Sequence, residues 1–473
     1  MSEPVDDARR FLSARRELPQ VNHILHGFPS VRMWPEASAR VEAVREEVDD
    51  WYGDGPGPHD GYIGFPFCVA TEPDRCGYCL FPSESFRRSS ESSEYLELVR
   101  REQPIWRHDI GTPTSIFVGG GTPNLIRSDQ LLELRQTIEA RFGTTRDATV
   151  VTVEGIPQLF SDAKVAALAA FGVDRISMGA QQMDADLLAM SGRQETPAHI
   201  FAAIESARIH GLECNVDLIF GWPRQSIDSM VSGLEQLTAT GVGHITHYEM
   251  NVGGPSDFAL HRRHEMPGPE TLRTMYRTAV ELLTARGYRQ LTTHDFVRVA
   301  GGPDDWQYRE SWGTTARRSV VAAGFAGMSE LYRPDMGAGW VTMNHRSLDR
   351  YRDAVDRGEP PIERWFRRSA EDVRLTALFR RLQGLEVDRG DYRRTFGSDV
   401  VDDHAPVWEV LAEEGWVDVD DHAVRLVGLG GYYVPLIQTL LARRRTQELQ
   451  ELLRSAPVQD EPGSLVELTR RRG

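Results

Sequence analysis

Between residues 60 and 250 the chain alternates short runs of β-branched and aromatic residues with longer stretches whose apolar positions recur every three or four residues. This is the pattern of repeated strand and helix units. Six strands are predicted: GYIGF from 61, TSIFV from 114, ATVVTVE from 148, RISMG from 175, CNVDLIF from 214 and HITHYEM from 244. Between them Leu131, Leu134, Ile138 and Phe142 form one apolar helical face, with Ser128 as the expected cap and Gly143 as the stop. Thr196 and Pro197 open a second helix that carries Ile200 and Ile204 inward and ends near Gly211. A third uses Ile227, Met230, Leu234 and Leu237 and ends at Gly241. Right-handed crossovers between such strands give an α/β fold, a parallel sheet or partial barrel, with chemistry at the carboxyl ends of the strands.

The pattern divides the rest of the chain. Residues 1–57 read as a helical extension and 58–290 as the sheet domain, whose long helical end stops at Gly287. Residues 291–369, which include a stretch to 345 rich in Gly, Trp and His without a clear period, read as a connecting, substrate-covering segment. His294, Trp306, Tyr308, Trp312, Tyr332 and Trp340 are its candidate substrate contacts, with a packed aromatic cover as the competing reading. Residues 370–445 fit a winged-helix-like module with a turn around Asp420 and Asp421, and 446–473 a solvated helical tail. The first thirty residues lack the apolar region of a signal peptide and no run is long enough to span a bilayer, so a cytoplasmic protein with no membrane partner is expected. The formal net charge of −16 argues against nucleic acid as a partner.

Four cysteines are too few for a disulfide framework and point to metal or catalytic use. Cys68, Cys76 and Cys79 lie just past the first strand, with seven residues in the first gap and two in the second. A structural zinc would need a fourth ligand, such as His59 or Cys214, and normally a second C-x-x-C arm. Three thiolates also suit a 4Fe-4S cluster with one iron open to another ligand. Cys214 begins an apolar strand, and a core role is expected for it.

The phrases YIGFPFC, CGYCLF, IFVGGGTP, VEGIP, GVDRISMGAQQMDADLLAMSGR, NVDLIFGWP and HITHYEMN follow one another in the order and spacing of a known family. The chain resembles the radical S-adenosylmethionine (SAM) enzymes related to oxygen-independent coproporphyrinogen III oxidase, the HemN-like group. The resemblance implies a partial (β/α)6 TIM-like barrel with a C-terminal winged-helix-like domain. It implies one 4Fe-4S cluster on Cys68, Cys76 and Cys79, and SAM on the open iron, which reductive cleavage turns into a 5'-deoxyadenosyl radical. Tyr62 and Tyr78 would pack on the cofactor, with ordinary core aromatics as the competing reading. Gly120, Gly121 and Thr122, in the GGGTP turn, would let backbone N–H groups approach it. Glu154 and Arg193 would hold its charged ends, and Gln181 and Asp217 its ribose or sulfonium side, although Asp217 reads equally as a structural carboxylate. An electron donor of flavodoxin or ferredoxin type and a small-molecule substrate are implied partners.

Four departures from the family separate this chain from coproporphyrinogen oxidases. The first cysteine gap holds seven residues rather than three, Gly64 stands where porphyrin-processing relatives usually carry His, Phe81 where coproporphyrinogen oxidases usually carry Cys, and Ile156 where Asn is usual. The longer gap reads as a dispensable arch with Glu72 and Asp74 in solvent. The expected function is therefore radical modification of a small, specialised-metabolite substrate, by methyl or methylene transfer if two SAM molecules bind. The alternatives are anaerobic porphyrin or heme metabolism, a heme chaperone and, remotely, insertion of cluster sulfur.

Overall fold

A computed structural model of the chain describes residues 3–18, 26–37, 40–52, 59–106, 110–143, 149–299, 318–333 and 338–455. All six expected strands form: β1 (His59–Phe65), β2 (Ser115–Gly120), β3 (Val150–Gly155), β4 (Arg175–Gln181), β5 (Glu213–Phe220) and β6 (His244–Glu249). Each pairs in parallel with the next. Ile63, Ile116, Val118, Ile176, Met178, Val216 and Ile245 are buried on these strands, which explains their nearly continuous apolar runs, since a parallel sheet is covered on both faces.

Six further strands enlarge the sheet. β7 (Tyr288–Gln290) and β8 (Asp295–Arg298) extend it antiparallel beyond β6, while β9 (Ser319–Gly324) pairs in parallel with β1. β10 (Met328–Arg333), β11 (Ala338–Asn344) and β12 (Ile362–Arg368) continue antiparallel from β9. The result is one twelve-stranded sheet in the order β12-β11-β10-β9-β1-β2-β3-β4-β5-β6-β8-β7. Its edge strands β12 and β7 do not pair with each other among the described residues.

The three expected helices form at Leu131–Phe142, Pro197–Ile209 and Ile227–Ala239. Ser128 is not the cap of the first: Ser128–Gln130 makes a 3-10 turn before it, held by the Arg127 amide donating to Gln130 Oε1 at 3.0 Å. Gly143 ends that helix in the left-handed conformation, φ 56°.

The connecting segment is more ordered than its sequence suggests, since it contributes β8 to β12. Trp340 is 1% exposed and packs 5.1 Å from the Trp365 ring, so it belongs to the core and not to a substrate surface. Trp306, Tyr308 and Trp312 lie outside the described residues. The C-terminal module has the expected helix Ala370–Gln383, the helix Ala405–Glu413 and a small sheet of β13 (Glu386–Asp388), β14 (Val417–Val419) and β15 (Ala423–Leu426), with the wing turning at Asp420. The N-terminal helix Glu3–Arg15 is tied to this module by Arg9 to Glu413 at 2.9 Å. The helix Arg443–Ser455 follows, and residues beyond it lie outside those described. Among the described residues no helix is long and apolar enough to cross a membrane.

Candidate functional site

The strands deliver the candidate residues to one cavity of about 170 Å³ at the carboxyl ends of β1 to β4. Cys68, Cys76 and Cys79 line it together with Tyr78, Gly120, Gly121, Thr122, Glu154, Gln181 and Arg193. Tyr62 and Asp217 stand outside its lining: Tyr62 stacks on Phe117 with ring centres 6.4 Å apart, and Asp217 lies deeper, on β5. Cys214 is half-buried at the start of β5, packs against the core, and its thiol faces the Asn215 carbonyl at 3.8 Å, which fits its expected core role. His59 begins β1 and Cys68 lies past its other end, so they cannot share a zinc ion.

The cysteine loop is tightly tied, not a bare arch. Thr71 Oγ1 donates to the Pro73 carbonyl at 2.8 Å and accepts from the Cys76 amide at 2.8 Å. Arg75 and Cys76 both adopt positive φ, 52° and 55°, which turns the second thiol into the cavity. The loop rests on Gly192, where a Cβ would stand 2.4 Å from the Glu72 carbonyl oxygen. Glu72 and Asp74 are exposed, in agreement with the solvated reading. Tyr78 packs edge-on against Trp222 at 5.2 Å and lies 5.8 Å from Phe258, which fixes the segment between the last two cysteines.

The three thiols are free, and burial pushes the Cys79 thiol up to about 11 and raises that of Cys68. Arg193 Nη1 reaches Cys76 Sγ at 3.7 Å, and its guanidinium also contacts the Gly179 carbonyl and pairs with buried Glu195. Hydroxyls of Thr122 and Ser83 hydrogen-bond to Cys68. These donors favour thiolates once metal replaces the protons. Among the described residues no three His, Cys, Asp or Glu groups are close enough together for a single metal ion. The cavity lining does hold three thiols from one loop and no fourth among the described residues, which suits a cluster with one iron left open. The residues present therefore fit a 4Fe-4S group.

The glycine turn has a steric cause. A Cβ at Gly119 would meet Glu154 Oε2 at 2.6 Å, and one at Gly121 would meet the Phe67 carbonyl at 2.4 Å. This close approach lets the Gly120 amide, at φ 108°, donate to Glu154 Oε2 at 3.0 Å. Burial, and then the charge of Asp217, push the Glu154 carboxyl up to about 8. Gln181 sits at φ 65° where the register of β4 shifts, turning its side chain toward the cavity. Gly64 explains one departure: a Cβ there would lie 2.1 Å from the Phe325 carbonyl oxygen, so the β1–β9 junction excludes any side chain. Phe81 lines the cavity against Gly120, and Ile156 is clamped by Asn124, whose side chain bonds its amide at 3.2 Å and its carbonyl at 2.9 Å.

Below the cavity runs a polar chain that sequence reading missed. Arg175 Nη2 lies 2.7 Å from His244 Nδ1, and His244 Nε2 lies 3.0 Å from Asp295 Oδ1. An arginine can only donate, so Nδ1 accepts and Nε2–H donates to Asp295. Thr246 Oγ1 is 3.1 Å from both Asp295 Oδ1 and Asn215 Oδ1. Asn215 Nδ2 donates to Asp217 Oδ1 at 2.7 Å and to Ser177 Oγ at 3.0 Å, while Ser177 donates to the other Asp217 oxygen at 3.4 Å. The Asp217 carboxylate is thus gripped on both oxygens. The signal available in the sequence was polar residues two apart on otherwise apolar strands, Asn215 with Asp217 and His244 with Thr246. Glu195, two residues after Arg193, was the other legible partner.

Residues 63–237 match the radical SAM superfamily. The chain is 28% identical over 248 residues to the heme chaperone HemW of Haemophilus influenzae, covering 50% of this chain and 62% of that relative. It is 24% identical over 401 residues to the oxygen-independent coproporphyrinogen III oxidase of Pseudomonas aeruginosa, covering 81% and 85% respectively. In fold it matches the radical SAM enzyme coproporphyrinogen III oxidase (HemN) of Escherichia coli, with a TM-score of 0.74 and 20% identity over 88% of this chain and 96% of that one. Residues 63–237 thus carry a radical SAM domain, and the proteins that the chain resembles in sequence and in fold are of the HemN and HemW type.

Proposed function

We propose that this protein is a cytoplasmic radical SAM enzyme that carries one 4Fe-4S cluster on Cys68, Cys76 and Cys79 and uses SAM on a tetrapyrrole. The observation that carries the reading is the convergence of the three thiols with Glu154, Gln181 and Arg193 on one cavity. When bound and reduced, the cluster supplies the electron that cleaves SAM to a 5'-deoxyadenosyl radical. The chain's own part is to hold and orient. The buried Arg193 guanidinium answers the SAM carboxylate, while Glu154, once ionised by an incoming ammonium, answers its amino group. The Gly119–Gly121 turn leaves room for both, and Tyr78, packed on Trp222, lines the cavity beside them. Asp217, fixed by Asn215 and Ser177 outside the lining, acts on the site through its charge on Glu154. An external one-electron donor docks near the exposed cysteine loop.

The substrate class rests on the relatives. The oxidase match covers 81% of this chain and so reaches well beyond the radical SAM region, and the HemW relatives are named as heme chaperones. This support favours the heme and porphyrin alternative over modification of a specialised metabolite. Phe81 favours heme handling within it, because an apolar ring occupies the cavity wall where the oxidases usually carry Cys.

The test is an anaerobic incubation of reconstituted protein with SAM, dithionite and either heme or coproporphyrinogen III. The expected outcome is 5'-deoxyadenosine, with saturable heme binding seen as a shifted Soret band. Failure of both tetrapyrroles to bind or react, together with S-adenosylhomocysteine formed on a different acceptor, would overturn the substrate assignment in favour of methyl transfer.

A further inference from the structure

A second cavity, also about 170 Å³, opens where β5 and β6 end against the helix Pro269–Ala285 and the C-terminal module. It shares no lining residue with the cysteine cavity. His247, on β6, is 5% exposed and lines it, yet its imidazole has no hydrogen-bond partner among the described residues; its ring contact is Phe220, stacked at 4.8 Å. Glu249 is two residues further along the same strand. Its carboxyl bonds to the Tyr432 hydroxyl and has no Arg or Lys partner among the described residues. Tyr276 and Tyr432, with ring centres 5.6 Å apart, wall the far side.

The charge balance of this cavity is one-sided. No Arg or Lys lines it among the described residues, so an anionic ligand would find no counter-charge. The titratable groups facing Glu249 are His26, His247, Tyr248, Tyr276, His294 and Tyr432. Burial holds His247 down to about 3 and His294 to about 4, so both imidazoles are neutral and each offers an acceptor nitrogen. Burial pushes Glu249 up to about 8, the behaviour of a carboxyl whose cationic partner is absent. Aromatic faces add attraction for a positive charge. A metal ion does not fit, because among the described residues no three His, Cys, Asp or Glu groups are placed to chelate one.

We propose that this cavity is a binding site for an organic ammonium group, which donates to the Glu249 carboxylate and a His247 ring nitrogen and lies against the Phe220, Tyr276 and Tyr432 rings. The inference is independent of the cluster and of the tetrapyrrole reading. An ammonium has three N–H donors and no acceptor, which matches a wall of a carboxylate, neutral imidazoles and aromatic rings. Because Glu249 is mostly protonated at neutral pH without ligand, binding expels its proton to solvent.

Calorimetric titration of the full-length protein at pH 7 with benzylamine, benzyl alcohol and benzoate tests this, in two buffers of different ionisation enthalpy. Benzylamine should bind about tenfold or more tighter than benzyl alcohol, release a proton, and outcompete benzoate entirely. Glu249→Gln keeps the shape and the neutral charge state of the free cavity, so the fold should persist while affinity for benzylamine falls about tenfold or more and proton release disappears. His247→Phe keeps the stack on Phe220 and should weaken the amine more than the alcohol. Equal binding of amine and alcohol, unchanged affinity in Glu249→Gln, or no saturable binding of benzylamine, phenethylamine or methylamine in the millimolar range would each overturn the proposal.

Discussion

Replacing Gly192 with Ala should dislodge the cysteine loop. Gly192 lies at φ 74°, and a Cβ there would stand 2.4 Å from the Glu72 carbonyl oxygen and 2.8 Å from its amide nitrogen. Both are backbone atoms, so no change of rotamer relieves the contact. Gly211 offers an internal control: its φ is 71°, and nothing lies within 4 Å of the same construction. The left-handed conformation costs a non-glycine residue about 1–2 kcal/mol, so Gly211→Ala should lose about that much stability. Gly192→Ala adds overpacking of about 1–3 kcal/mol, for a total of roughly 2–5 kcal/mol. The alternative outlet is for the loop to lift away, carrying the Thr71 tie to the Cys76 amide with it. The assay pairs chemical denaturation with iron and sulfide content after anaerobic reconstitution. Gly211→Ala should keep full iron content, and Gly192→Ala should lose clearly more stability, iron or both. Variants indistinguishable in both readouts would refute the reasoning.

Thr71→Val removes both loop hydrogen bonds, so it should cost about 1 kcal/mol for each and speed cluster loss, with Thr71→Ser restoring both; equal cluster retention in all three proteins would contradict this. Gly64→His, which would restore the residue usual in porphyrin-processing relatives, should give poorly folded protein by circular dichroism instead of greater activity, because of the Phe325 carbonyl. Glu154 supplies a pH test in the cofactor-free protein. Its folded value, about 8, lies above its unfolded one, so its contribution is full below the unfolded value and is lost as pH rises through about 8. Glu154→Gln lacks that loss and should gain stability relative to the native protein as pH rises from about 6 to 9, while losing SAM binding; a stability difference that is flat with pH would contradict the burial of a protonated carboxyl.

Some of this was readable in the sequence for clear physical reasons. The parallel strands appear as apolar runs because both faces are covered, and the helices as apolar stripes ended by left-handed glycines such as Gly143. The cysteines, Glu154, Gln181 and Arg193 could be grouped because parallel strands bring their carboxyl ends together. What failed depended on distant partners. β12 reads IERWFRR, a charged stretch, yet Trp365 and Phe366 are buried, and Arg368 bonds the Phe28 carbonyl at 2.7 Å. The chain from Arg175 through His244 to Asp295 joins residues 69 and 51 apart in sequence, which no local period reveals. Tyr62 and Asp217 were placed on the cofactor by resemblance, but Tyr62 packs on Phe117 and Asp217 is reached through Asn215 and Ser177, so neither lines the cavity itself. The cysteine gap read as slack because loop length says nothing of internal ties like that of Thr71.

The central claim is that three thiolates from one loop hold one cluster, with the fourth position left for SAM. Its most direct test is iron and sulfide content, together with 5'-deoxyadenosine formation, in Cys68→Ala, Cys76→Ala, Cys79→Ala and Cys214→Ala proteins reconstituted anaerobically in parallel with the native chain. One 4Fe-4S cluster and SAM cleavage should survive in the native and Cys214→Ala proteins and vanish in each of the other three. Loss of the cluster in Cys214→Ala, its retention in any loop variant, or two clusters in the native chain would contradict the account.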